Sequence, residues 1–147
     1  MLPREDGRAI RVVYLCGPID GISREDSQNW RMDAYDALSM MGIVSTVPGL
    51  EKAKLTSDQI VKLDDTMIAV SDAVLVNLNF LLVKGEQRLG TGSLMELGMA
   101  FAQRKRIIAF VDGELPAHFK FLRGVYDCLL PSLKVALTKI AEINGEI

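Results

Sequence analysis

The chain has 147 residues, enough for one domain whose apolar core needs no staple or metal. Hydrophobic residues make up 49% and charged residues 24%, and the net charge of −2 argues against a nucleic-acid polymer or an anionic membrane as partner. One histidine, His118, leaves little for a His-based metal site, and no apolar run approaches the roughly 18 residues of a membrane span.

Residues 1–9 read as a polar, flexible arm without the basic start and long apolar run of a secretory signal, so a cytoplasmic protein is expected. Ile10 to Cys16, "IRVVYLC", is a short apolar, β-branched run closed by Gly17-Pro18, and it reads as a buried strand. Cys16 inside that run and Cys128 far from it read as two buried thiols rather than a disulfide or zinc pair. From about Asp26 to Met41 the residues Trp30, Ala34, Ala37, Leu38 and Met41 fall at helical spacing, and Gly42 supplies a C-cap. Ile43 to Val47 is a second strand, stopped by Pro48-Gly49. Thr56-Ser57-Asp58 caps a second helix through about Val70, with Ile60, Leu63, Met67 and Val70 as its apolar face. Asp72 to Leu78 lacks alternation, so both faces of this third strand should be covered.

A long loop follows to Gly92, and its apolar half, Phe80 to Val83, suits a ligand cover or a partner subunit. The third helix is expected from about Ser93 to Lys105, with "QRKR" as a basic last turn. Ile107 to Val111 is a fourth strand. Beyond Gly113 a short helix (Ala117 to Leu122), a short strand (Val125 to Leu129) and a last helix (Pro131 to about Ile143) complete the chain. This alternation predicts an α/β fold, a flavodoxin-like doubly wound parallel sheet of four to five strands in a single domain. Ligands of such sheets bind beyond the carboxyl ends of the strands, which selects the loops Gly17–Ser27, Asn77–Gly92 and Asp112–Arg123.

The first loop, "GPIDGISRED", offers glycines for close backbone approach and the charges of Asp20, Arg24 and Glu25; the plain alternative is a strand-to-helix turn with solvated charges. Neither GxxxxGK[ST] nor GxGxxG follows a strand, so no nucleotide cofactor is expected. In "GTGSLMELGMAF" Glu96 has two readings: the acid of a Ser93-x-x-Glu96 capping box, or a carboxylate nucleophile at the ligand edge of the sheet. A nucleophilic carboxylate also needs a group that protonates or holds the leaving group. Asp64 and Asp65 at the end of "VKLDD" are candidates, with solvated helix charge as the alternative. Tyr14 and Trp30 are able to stack on a base, although both occupy core-compatible positions.

Together, "VYLCGPI", Asp64 eight residues before Asp72, and "GSLMELGMAFAQRKRIIAF" resemble the nucleoside 2-deoxyribosyltransferase family, which includes deoxynucleoside 5′-monophosphate N-glycosidases. The resemblance runs from about Val12 to Phe110 and implies a flavodoxin-like fold, no cofactor, and a homo-oligomer in which a neighbour completes each site. It implies Glu96 as the nucleophile on the sugar anomeric carbon, with Leu97 and Gly98 around it, and Asp64 as the residue that orients or protonates the base. Substrate-binding positions then fall on Gly17, Ile19, Asp20, Gly21 and Arg24 in the first loop, on Asn77, and on Gly90, Gly92 and Ser93.

Six residues before the nucleophile, transferases acting on free nucleosides tend to carry Asp and the monophosphate glycosidases Ser; this chain has Gly90. Asp20 stands where the glycosidases favour arginine, leaving Arg24, Thr91 and Ser93 to meet a phosphate. His118, Lys120 and Arg123 are candidates for the residue donated to a neighbour. The expected activity is transfer of a deoxyribosyl group from a 2′-deoxynucleoside to another base; the alternatives are hydrolysis of a nucleoside 5′-monophosphate and a nucleotide-sensing module without turnover.

Overall fold

The computed structural model of the chain describes residues 8–17, 24–46, 54–82 and 91–146, with the backbone alone at 24–27, 91 and 118. Five short runs pair as β1 (Val12–Cys16), β2 (Val44–Thr46), β3 (Ala73–Asn77), β4 (Arg106–Phe110) and β5 (Cys128–Leu130). All pairings are parallel, in the order β2-β1-β3-β4-β5, with Ala73 opposite Val13 on one side and Arg106 on the other. This is the expected flavodoxin-like doubly wound sheet, with five strands.

Alternate strand residues feed two apolar layers. Tyr14, Cys16, Val74, Val76, Ile107 and Ala109 pack with Ile68 of α2 (Ser57–Ala69) and with Leu97 and Ala100 of α3 (Thr91–Ala102). On the opposite face Val13, Leu15, Leu75, Ile108 and Phe110 pack with Ala34 and Leu38 of α1 (Arg24–Met40) and with Ala136 and Ile140 of α4 (Leu133–Ile143). Each fully buried aliphatic side chain stabilises the fold by about 1.5–3 kcal/mol, so these layers are its main support. Two side chains then lock neighbouring chain ends. Asp72 Oδ2 accepts the N–H groups of Arg11 and Val12 at 2.8 and 2.9 Å, and Asn144 bonds both the N–H and the C=O of Ile10 at 2.7 and 2.8 Å.

Helix ends follow local chemistry. Thr56 is the N-cap of α2, one of the three cap residues expected, and it forms a capping box with Gln59. After α1, Ile43 N–H bonds Leu38 C=O and Gly42 N–H bonds Ser39 C=O, a Schellman turn with Gly42 at φ +75°. The end of α3 uses the same pair of bonds, Lys105 to Ala100 and Arg104 to Phe101, but places Arg104 at φ 59° where glycine is favoured.

The third helix therefore starts and stops earlier than expected, and "QRKR" forms the turn beyond it, not its last turn. Two of those residues reach back to α2: Gln103 Nε2 donates to Asp65 Oδ1 at 2.8 Å, and Lys105 Nζ to the Ala69 carbonyl at 2.8 Å. In the long loop Asn79–Leu82 is a 3-10 turn whose Leu81 is buried, with Phe80 and Leu82 packed on the protein's own core; Val83 lies outside the described residues. A second 3-10 stretch, Ala117–Gly124, precedes β5, which sits later than expected, and Ser132 caps α4, leaving Pro131 outside the helix. Among the described residues no helix is long and apolar enough to cross a membrane.

A left-handed L-residue costs about 1–2 kcal/mol and a glycine about 0.5–1 kcal/mol of extra unfolded-state entropy. Arg104→Gly should therefore raise stability by about 0.5–1 kcal/mol, read as a higher denaturation midpoint at unchanged slope.

Candidate active site

Strand order reverses between β1 and β3, so the crevice lies beyond Cys16–Gly17 and Asn77–Leu78. Three polar side chains converge at that end from three elements. Tyr14, two residues before the end of β1, is fully buried beneath Asp64 of α2 and Glu96 of α3, which are 6% and 7% exposed. The Tyr14 hydroxyl lies 2.9 Å from Glu96 Oε1 and 3.3 Å from Asp64 Oδ1, donating chiefly to Glu96. Burial pushes the Tyr14 phenol far above its ordinary range, with the charges of Glu96 and then Asp64 adding to it, so the hydroxyl keeps its proton at neutral pH.

The orientation of α2 departs from the expected apolar face. Ile60 and Met67 are half-buried, but Leu63 and Val70 are exposed, while Asp64 and Ile68 point inward. Burying Leu63 would gain about 2 kcal/mol, whereas a carboxylate withdrawn from water costs several kcal/mol unless it is bonded. The helix nevertheless turns Asp64 inward. Asp65, the other candidate, is exposed and tied to Gln103.

The early start of α3 settles the two readings of Glu96's local geometry. Ser93 is the third residue of the helix and Glu96 the sixth, one turn deeper than expected, so the Ser93-x-x-Glu96 capping box is not formed. Ser93 is buried and its carbonyl accepts from Cys16 Sγ at 3.5 Å. Burial, then the nearby Glu96 carboxylate, pushes the Cys16 thiol well above its usual range. Cys16 and Cys128 are both free; Cys128 is half-buried, a correction to the expectation of two buried thiols.

A residue the sequence reading missed stands on the other side of β1. Arg31 of α1 is fully buried, and its Nη2 donates to the Gly17 carbonyl at 2.5 Å. Its guanidinium carbon lies 4.9 Å from the centroid of the Trp30 ring, which meets Phe110 edge-on at 5.7 Å. Desolvation lowers the Arg31 pKa, and Cys16, Glu96 and Tyr14 oppose that shift. The signal was present in the sequence: Arg31, Ala34 and Leu38 share one helical stripe, so a charge sits on the buried face. Gly17 makes the approach possible, because a Cβ there would lie 2.8 Å from Trp30 Cζ2 and 3.4 Å from Arg31 Nη2.

The remaining expected positions divide. Ile19, Asp20, Gly21 and Gly90 lie outside the described residues, as do the side chains of Arg24, Thr91 and His118. Asn77 ends β3 and its Oδ1 accepts the N–H of Asn79 at 2.9 Å. Gly92 and Gly98 are exposed on α3, and a Cβ on either would meet nothing within 4 Å. Lys120 and Arg123 are exposed on the 3-10 stretch. Tyr14 and Trp30 take their core roles.

The family model described as Nucleoside 2-deoxyribosyltransferase matches residues 13–130. No curated protein sequence matches the chain. Solved structures with the same fold include a CMP N-glycosidase from Clostridium botulinum, 20% identical over 88% of this chain and 98% of that one, with a TM-score of 0.57. A 2-desoxiribosyltransferase from Leishmania mexicana is 16% identical over 90% and 97% of the two chains, with a TM-score of 0.71. A 2-deoxyribosyltransferase from Bacillus psychrosaccharolyticus is 17% identical over 86% and 90%, with a TM-score of 0.62.

The contact at Gly17 is testable alone. Gly17→Ala should displace the Trp30 ring and cost about 1–3 kcal/mol by overpacking. Trp30 is the single tryptophan, so its emission spectrum and a denaturation curve report both effects.

Proposed function

The chain belongs to the nucleoside 2-deoxyribosyltransferase family, whose members are enzymes, and on that premise we propose that it cleaves the N-glycosidic bond of a 2′-deoxynucleoside through a glycosyl-Glu96 intermediate. The observation that carries this reading is the pair of buried carboxylates, Glu96 and Asp64, brought from two helices to one Tyr14 hydroxyl at the ligand edge of the sheet.

A Glu96 oxygen attacks the anomeric carbon as the C–N bond breaks, and the bonding pair leaves with the base. Asp64 is the acid that protonates or orients the departing base, the task a second carboxyl performs in glycosyl transfer. A nitrogen of an acceptor base then attacks the same carbon, and the Glu96 carboxylate is released unchanged. Tyr14 donates to the carboxylate oxygen before attack and fixes its direction. It is a positioning residue and does not take up the charge, since its own proton is held tightly.

Water in place of the acceptor base gives the second reading, hydrolysis of a nucleoside 5′-monophosphate, which the likeness to a CMP N-glycosidase supports. Substrate contacts in either case are assigned to Gly17, Ile19, Asp20, Gly21, Arg24, Asn77, Gly90, Gly92 and Ser93. We place the enzyme in the cytoplasm, where two free cysteines are at home, and as a homo-oligomer. The exposed apolar side chains Met95 and Phe101 on the outer face of α3 suit a contact between copies.

Incubation with deoxynucleosides and deoxynucleoside 5′-monophosphates, with and without a free base, followed by separation of products, distinguishes the readings. New nucleoside only when a base is added is the expected result; free base from monophosphates alone selects the hydrolase. Glu96→Gln should lower turnover by roughly a thousandfold or more with the fold intact, and Asp64→Asn by about a hundredfold or more. Equal behaviour of wild type and Glu96→Gln would mean binding without catalysis.

A further inference from the structure

We propose that the groove between α1 and α4 is a contact between two copies of this chain, related by a two-fold axis that runs along the helices and sets Asp33 of each copy against Lys134 of the other. The groove lies on the face of the sheet opposite α3. It is therefore separate from the contact that Met95 and Phe101 of α3 suit, and it needs nothing from the catalytic reading.

The groove has a volume of about 580 Å3, walled by Ala37 and Met41 of α1 on one side and by Leu133, Leu137 and Ala141 of α4 on the other. All five are half-buried, so apolar surface continues from the core of this layer out to solvent. The short side chains of Ala37 and Ala141 leave the groove open. Beside it α1 adds Met32 and Met40, which are 49% and 90% exposed and about 12 Å apart along the helix axis. Apolar surface gathered in this way marks an interaction site, and methionine is the side chain that adapts best to an irregular seat.

Charge selects the occupant. Both helices return from strands of an all-parallel sheet, so they run in the same direction, and the lining advances in steps of four residues on each, 33, 37, 41 beside 133, 137, 141. Asp33 and Lys134 thus stand at one level on opposite rims. Both are exposed, and among the described residues no ion pair joins them. The exposed charges described on α1 are the acids Asp33 and Asp36, whereas α4 carries Lys134 on its rim of the groove.

Two ways of facing one copy with another follow from symmetry. An axis across the helices lays α1 on α1 and brings the acids together. An axis along them lays α1 on α4 of the second copy, which pairs Asp33 with Lys134 twice and brings Met40 to the Ala141 end of the facing groove. Only the second is complementary in charge as well as in shape. Exposed ion pairs add little affinity, so the apolar seat holds the copies and the charges set their register. Together with a contact through α3, this one carries the assembly beyond a dimer.

Sedimentation of the full chain over a range of concentrations tests the contact in wild type, Asp33→Lys, Lys134→Glu, their double variant, Met40→Asp and Met95→Asp. All four side chains are exposed, so the variants should fold, and melting curves check that they do. Each single reversal sets like charges together in both pairs and should weaken self-association by about tenfold or more; exchanging both charges should restore it. Met40→Asp should weaken it as well, and Met95→Asp should leave this contact in place.

A wild type that stays monomeric overturns the inference. So does association that neither single reversal alters, which would leave the groove to another protein or to a small apolar ligand, and so does a double variant that fails to recover. Loss of all association in Met95→Asp alone assigns the oligomer to α3 and removes the groove contact; loss in the groove variants alone does the reverse.

Discussion

One phenol hydroxyl facing two buried carboxylates is the contact on which the site depends. Tyr14 reaches Glu96 and Asp64 from a central strand that neither helix touches along the backbone ladder, so the two acids are indexed to the sheet and not merely to each other. The two bonds to one hydroxyl depend on the spacing of the helices that carry the acids. Beside the apolar packing, Gln103 and Lys105 tie the two helices: they leave the end of α3 and bond Asp65 and the last turn of α2, the helix that carries Asp64. Exposed bonds of this kind are worth about 1 kcal/mol each, small against the core but directed along the one coordinate that matters for the acids.

The doubly wound topology brings helices of both layers to the same strand ends. At the switch point α1 departs on one face and α3 on the other, so both helices begin beside the same strand ends. Arg31 uses that opening. Its partner is the carbonyl of Gly17, the first residue after β1, and the close approach of Trp30 and Arg31 there excludes any Cβ. Phe110 at the end of β4 backs the Trp30 ring, which ties the position of the cation to the second apolar layer. The glycine of "CGP" is thus a packing requirement of the chain itself, whatever ligand it later meets.

Much of the fold was legible because local rules and tertiary packing agree. The unalternating β3 run is covered on both faces, Gly42 takes the left-handed turn, and Thr56 forms its capping box. Boundaries slipped where local signals competed. Ser93 looks like an N-cap, yet α3 begins two residues earlier and uses Ser93 inside the helix. Orientation was the harder quantity. In α2, apolar residues at 60, 61, 63, 67, 68 and 70 describe two overlapping stripes, and periodicity selects the one that excludes Asp64. In α3, "TGSLMELGMAFA" is apolar nearly all round, so no stripe says which way Glu96 points. Resemblance to a family named both acids; their inward rotation and the Tyr14 donor between them emerge only from the sheet against which the helices pack. Arg31 is the opposite case: it shares a helical stripe with the buried Ala34 and Leu38, but it lies outside the apolar set 30, 34, 37, 38 and 41 that periodicity picks out.

A helix that exposes Leu63 and buries Asp64 is not arranged for maximal stability. A carboxylate left buried without partners would withdraw several kcal/mol from a domain whose net stability is on the order of 5–15 kcal/mol, so both acids depend on their bonds and on the packing of the rest of the layer. That packing includes Ile68, Leu97 and Ala100, which flank the acids on the same helices and are fully or almost fully buried. The layer on the other face takes Ala34, Leu38, Ala136 and Ile140, and among the described residues it buries no carboxylate; its buried Arg31 bonds the Gly17 carbonyl at the end of β1. Stability and chemistry are therefore divided between the two faces of the sheet: the face that carries the acids gives up packing for them, and the other supplies an apolar layer.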